Sequence, residues 1–193
     1  MSINLLEDIQ SKMGYPPLQK IDPNTQEVTK DSSTPDEHLL SQAAIPAVLT
    51  ALYNFSRSDV GALTILQYSS LTVWTDRIFS DNKEAIIQKI AAYSNYTIEN
   101  ATNKLNSIAA HAVNDIKEKL PDNATAHDVK KFLADQRNNI LPFLPAVLQM
   151  GELLHDNTLD DRTHKMEGPV SSLMHAIGGG FSNGDIVEKE ENK

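Results

Sequence analysis

The sequence predicts an all-α protein: a compact bundle of about eight mostly short helices, with an N-terminal helix on a long loop and a disordered acidic C-terminal tail. Three observations carry this reading. From Ile98 to Leu120, apolar residues recur every three or four positions: Ile98, Ala101, Leu105, Ile108, Ala109, Ala112, Val113, Ile116 and Leu120. That is one broad stripe at period 3.6, the pattern of a helix with one buried face. Helix-start signals recur along the chain, as at Thr34-Pro35-Asp36-Glu37 and at Thr125 with Asp128, where a hydroxyl and a carboxylate three residues later can satisfy the first free amides. No stretch alternates apolar and polar residues over the length of a strand.

Each element can be placed in order. Asn4 and Glu7 form a capping pattern before Ile9 and Met13, and Gly14 stops that helix. Residues 14–34 have no periodicity and carry Pro16, Pro17 and Pro23; this reads as a linker or a long surface loop. Thr34 is placed to cap a helix running to Ala44, which Pro46 kinks or restarts before Val48, Leu49 and Leu52. Ser58 is placed to cap a short helix through Ala62, Leu63 and Leu66. Another follows around Trp74, Ile78 and Phe79. Asp81 and Glu84 suggest a capping box for a helix with Ile86 and Ile90 inward. Thr97 caps the long striped helix, and Pro121 ends it. Thr125 opens a helix that buries Val129, Phe132 and Leu133. Pro145 opens one more, to Leu154, and Pro169 the last, with Val170, Leu173, Met174 and Ile177. Ile45-Pro46-Ala47-Val48-Leu49 is echoed by Leu144-Pro145-Ala146-Val147-Leu148, both read as places where a helix restarts at proline.

The expected organisation is therefore an N-terminal helix and linker over 1–34, a helical domain over 35–177, and a tail over 178–193. Residues 185–193 are acidic and poor in apolar side chains, a composition that cannot bury enough surface to fold alone. With 193 residues the chain is long enough to build a core without covalent staples. It has no cysteine, which excludes disulfides and thiolate chemistry and fits a cytoplasmic setting. The formal net charge of −9 repels phosphate backbones, so nucleic acid is not the expected partner. The N-terminus lacks the basic and apolar regions of a secretion signal. The stretch Ile140–Leu154, broken by Pro142 and Pro145, is too short for a membrane span.

The order of Ala44-Ile45-Pro46-Ala47-Val48-Leu49, Arg57-Ser58-Asp59-Val60-Gly61-Ala62, Arg77-Ile78-Phe79-Ser80-Asp81 and the helices from Ile86 and Thr97 resembles the bacterial YidB-like proteins, the domain-of-unknown-function family nine-three-seven. The resemblance covers roughly residues 40–120, with a looser continuation to about 155. It implies a small helical bacterial domain and brings no catalytic residues with it. Ser80 stands where that family usually has glycine, and the family's glycine-rich insert is missing.

One dense polar cluster lies between residues 152 and 167. Asp160 and His164 are four apart, as two ligands on one helix face must be, and Glu152 and His155 could complete a site for a hard or borderline divalent ion. The stronger reading of the same residues is an ordinary helix start, with Thr158 and Asp161 as its cap. A calcium loop does not fit, because Asp161 occupies the position where the sharp turn wants glycine. His111 and Asp115, four apart on the polar side of the long helix, read as a solvated pair. No nucleophile elbow or phosphate loop is present.

The favoured expectation is a non-enzymatic protein that binds a protein partner or itself. Trp74, Leu144, Val147 and Leu148 are its candidate contact residues. Two alternatives stand beside it: a divalent-metal protein using Glu152, His155, Asp160 and His164, and a carrier holding a small apolar ligand in a cavity near Trp74 or Leu148. The apolar run Ile140–Leu154 is expected to be buried centrally or to cover a partner.

Overall fold

In the computed structural model, the described residues are 3–22, 28, 33–67, 72–156, 158 and 159. They contain eight α-helices, three short 3-10 turns and no strand. The chain divides into two units, Met1–Asp161 and Arg162–Lys193. The second lies outside the described residues, as do the expected helix at Pro169 and the tail.

The centre of the bundle is α2, Asp36–Ser56. Fifteen of its 21 residues are buried, from Leu39 through Leu52 and again at Ser56. Pro46 lies inside this helix and does not end it. Proline removes the amide that would bond the Gln42 carbonyl, at a cost of about 3 kcal/mol in a helix interior. Here apolar side chains on both sides of Pro46 are sealed by the neighbouring helices, and their burial outweighs that loss. Among the described residues, α2 is the one helix long and apolar enough to cross a membrane, with 83% of its most apolar window buried inside the protein.

Helix α6, Ile98–Lys119, packs beside α2 with the predicted stripe inward from Ala101 to Ile116, while Ile98 at its start is exposed. The Thr97 hydroxyl accepts from the Asn100 amide at 3.2 Å. Helix α7, Ala126–Ile140, begins with the predicted capping box: the Asp128 carboxylate accepts from the Thr125 amide at 2.8 Å. Helix α5, Lys83–Ser94, ends at Asn95 in the left-handed region, φ 58°, a conformation that asparagine tolerates better than most residues.

Helix α1, Leu5–Lys12, is built into the same unit. Leu5, Leu6 and Ile9 are buried against α6, α7 and α2. The buried Gln136 side chain clasps its start, accepting from the Leu5 amide at 3.0 Å and donating to the Ile3 carbonyl at 3.1 Å. Lys12 reaches Asp115 at 2.5 Å, and Lys119 reaches Asp8 at 2.5 Å. The reading of Asp115 as part of a solvated pair with His111 is thus corrected. Its side chain is only 5% exposed, because α1 lies over it and supplies a cation. That contact holds the Lys12 ammonium above its usual pKa, chiefly through the Asp115 hydrogen bond. Gly14, at φ 71°, lets the chain turn out of α1. Gln42 then anchors the next segment, accepting from the Gln19 amide at 2.8 Å and donating to the Gln19 and Phe143 carbonyls.

The expected helix from Pro145 to Leu154 is not there. Residues 141–156, 158 and 159 form a strap: 3-10 turns at Leu141–Phe143 and Ala146–Leu148, then the single-turn α8, Met150–Leu153. It runs over the surface of α2, α5 and α7. Gln149 and His155 both take positive φ. Side-chain donors clasp the strap's carbonyls: Asn54 to Leu154 at 3.1 Å, Asn82 to Leu153 at 2.7 Å, and Arg137 to Thr158 at 2.5 Å. The expected Asp81–Glu84 capping box does not open α5: the helix begins at Lys83 after a 3-10 turn over Ser80–Asn82, and Asn82, at its N-cap position, makes no side-chain cap bond because its amide is occupied here.

Candidate interaction surface

The short helix α3, Asp59–Gln67, is seated by the end of α2. The Ser58 hydroxyl accepts from the Gly61 amide at 2.9 Å, as its capping position predicts. At Gly61 the two backbones meet. A Cβ there would stand 1.9 Å from the Phe55 carbonyl oxygen, so only glycine lets α3 fold back this closely. Gly61, Ala62, Thr64 and Ile65 face inward. Val60 and Leu63, one turn apart, face outward and are 76% and 41% exposed.

Other large apolar side chains exposed among the described residues are Ile3, Val73, Ile98 and Val147. They occur on different elements, whereas Val60 and Leu63 share one helix face. Single exposed apolar residues are normal on any protein surface; adjacent ones on a rigid element are the informative case. Asp59, next to Val60 in the chain, is itself exposed, and Lys130 lies 2.6 Å from its carboxylate. That cation holds the Asp59 carboxyl below the usual carboxylate range.

The sequence-predicted contact residues are distributed differently. Trp74 is fully buried where α4, Trp74–Ile78, packs on α2 and α6, so its ring presents nothing to a partner. All three of the others belong to the strap: Leu148 turns its side chain into the core and is buried, Leu144 is half-buried, and Val147 is 52% exposed. The expectation that Ile140–Leu154 is a central helix is corrected in the same way. Pro142 and Pro145 near its start and Gly151 near its end break it into turns, and α2 takes the centre.

Of the predicted metal ligands, Glu152 and His155 are exposed, while Asp160 and His164 lie outside the described residues. The His155 Nε2 is 3.3 Å from the Asn82 side-chain nitrogen. That nitrogen already donates to the Leu153 carbonyl, which fixes the amide's orientation, so the histidine nitrogen is the acceptor in this contact. Asp156, between them, turns inward. It accepts from the Thr158 amide at 3.0 Å and hydroxyl at 2.7 Å, and forms an ion pair with Arg57. Burial alone would push its carboxyl up, but the Thr158 and Arg57 contacts together outweigh that and hold it below the usual range. Among the described residues, no three His, Cys, Asp or Glu side chains are gathered to hold a metal ion.

A depression of about 300 Å³ lies between α5 and α6, lined by Lys83, Glu84, Ile87, Gln88, Ile98 and Thr102. It is an open groove with a mixed lining and includes neither Trp74 nor Leu148, the residues around which an apolar cavity was expected. The sequence reading places a short helix through Ala62, Leu63 and Leu66 but assigns it no outward apolar face. The available signal was the spacing of Val60 and Leu63 against Ala62 and Ile65: two apolar stripes on one short helix, of which a core can bury only one.

No protein-family profile, curated protein or solved structure matches the chain.

Proposed function

We propose that this chain is a non-enzymatic interaction module that engages a protein through the outward face of α3. One observation carries the proposal: Val60 and Leu63 are exposed side by side on a helix whose seating is fixed by the Gly61 contact. An apolar pair held rigidly in water costs solvation that a protein partner's apolar groove or helix would recover. Little side-chain entropy is lost when valine and leucine become ordered there. The acidic net charge of the chain supports a protein rather than a nucleic acid in that role. The likeness to the YidB-like proteins and a cytoplasmic setting belong to the same proposal.

The test is site-specific photocrosslinking in cells that make the protein. A benzophenone side chain at position 63 is expected to trap discrete protein adducts. The same probe at His111, exposed on the polar side of α6, is expected to trap few. Equal labelling from both positions, or none from position 63, refutes the reading.

A further inference from the structure

We infer that α1 is a lid on the helical body: it swings on Gly14 off the trough between α2, α6 and α7, and ionic strength sets how often it opens. This does not depend on the role of α3.

The hinge is the first ground. Gly14 holds φ 71°, and a Cβ built on it would meet nothing within 4 Å. Glycine passes between positive and negative φ at little cost, and no neighbour on that side opposes the rotation. The chain is fixed again directly beyond it. Tyr15 is buried, with the Lys104 ammonium 6.0 Å from its ring centre. The amide and the carbonyl of Gln19 are both bonded to the Gln42 side chain, and the Ile21 amide donates to the Pro142 carbonyl at 2.8 Å. Movement at Gly14 is therefore passed to the helix before it. Bonds to Gln10 from the Tyr15 amide at 2.9 Å and the Leu18 amide at 3.2 Å cross the hinge and break on opening.

The grip on α1 is the second. A helix of eight residues does not persist alone in water, so lifting it also unwinds it. Its apolar hold is Leu5, Leu6 and Ile9, against fifteen buried residues in α2. Elements with few buried contacts open ahead of the core. Much of the remaining hold is ionic and reaches the surface. The half-exposed Lys12 pairs with Asp115 at 2.5 Å and Glu118 at 3.3 Å, and Lys119 pairs with Asp8 at 2.5 Å. Such pairs weaken as salt shortens the screening length, from about 20 Å at about 20 mM to about 4 Å at about 500 mM.

Asp115 is the third. The closed lid leaves its Oδ2 buried with no hydrogen-bond partner among the described residues. Opening lets water reach that oxygen, which favours the open state. Closure therefore leans on the Lys12 cation more than it would on an ordinary surface pair. The opened trough is about 11 Å long, with Gln136 where the start of α1 lay and Asp115 where its end lay.

Hydrogen exchange of the full chain at about 20 and about 500 mM sodium chloride tests the inference. Exchange in residues 5–12 is expected to quicken about fivefold at the higher salt. Exchange in residues 105–116 of α6 is expected to hold steady or slow, because salt also screens repulsion within a chain of net charge −9. Lys12→Met keeps most of the side-chain stem and removes the cation. It is expected to quicken exchange in residues 5–12 at least about tenfold at low salt and to shrink the salt response. Lys119→Met, which leaves Asp115 paired, is expected to do the same about twofold. Exchange in residues 5–12 that ignores salt overturns the inference, as does a Lys12→Met protein that exchanges there like wild type. So does exchange in α6 that rises in step with α1 in any of the three proteins, which would mean that α1 leaves only when the whole bundle opens.

Discussion

Replacing Gly61 with alanine separates two accounts of α3 by the sign of its effect. On helix propensity alone, alanine in place of an interior glycine stabilises by about 1 kcal/mol. The structure predicts the opposite. The added Cβ would stand 1.9 Å from the Phe55 carbonyl oxygen, 2.8 Å from its carbon and 2.9 Å from the Ser58 hydroxyl. Real Cβ contacts begin near 3.0 Å, so α3 must back away by about 1 Å. The nearest obstacles are backbone atoms, which cannot swing aside as a side chain would. Overpacking of this kind costs about 1–3 kcal/mol. The movement also stretches the Ser58–Gly61 capping bond, worth about 1 kcal/mol. Set against the propensity gain, the net loss is about 2 kcal/mol. For a chain of this length that is a melting temperature lowered by roughly 4–8 °C. Urea or thermal unfolding followed by circular dichroism measures it. A Gly61→Ala protein as stable as wild type, or more so, refutes the close-approach argument and with it the rigid seating of α3.

Three further outcomes follow from other parts of the fold. Ser80 holds φ 46°, so Ser80→Gly relieves left-handed strain of about 1–2 kcal/mol against an unfolded-state entropy cost of about 1 kcal/mol; a small rise in melting temperature is expected, and a fall contradicts it. Asp156 has a carboxyl pKa lowered by its contacts, so the stability it contributes is present above the unfolded value and lost as pH falls through the lower folded value. Asp156→Asn should therefore destabilise by about 1 kcal/mol at neutral pH and flatten the acid limb of a melting-temperature profile. An unchanged limb counts against the Arg57–Asp156 clasp. Gln136→Ala removes both bonds to the start of α1, costing about 2 kcal/mol. Hydrogen exchange in residues 5–12 should accelerate well beyond that in α6, and uniform exchange would show that α1 is held by packing alone.

Much of the fold was legible because it depends on local chemistry. The stripe of α6, the Thr97 and Ser58 caps, the Thr125–Asp128 box and the Gly14 stop all act within a few residues of sequence. The twin Pro-Ala-Val-Leu segments show where locality fails. Pro46 sits in a helix because long apolar runs on both sides are buried, while Pro145 sits in a strap because Pro142 and Gly151 interrupt its neighbours. Asp115 has the same sequence surroundings as a solvated residue; only the docking of α1, 103 positions away, makes it buried. Asp81 and Glu84 fit a capping pattern, but α5 starts at Lys83 behind Asn82, whose side chain the Leu153 carbonyl 71 positions away takes. At the candidate surface, composition can supply two apolar stripes on α3 but cannot say which one the core will leave out.

The proposal that the outward face of α3 meets a protein partner is tested most directly by photocrosslinking in cells with probes at position 60, on that face, and at position 88, in the groove between α5 and α6. Discrete adducts from position 60 and few from position 88 are predicted. Adducts from position 88 and none from position 60 contradict it.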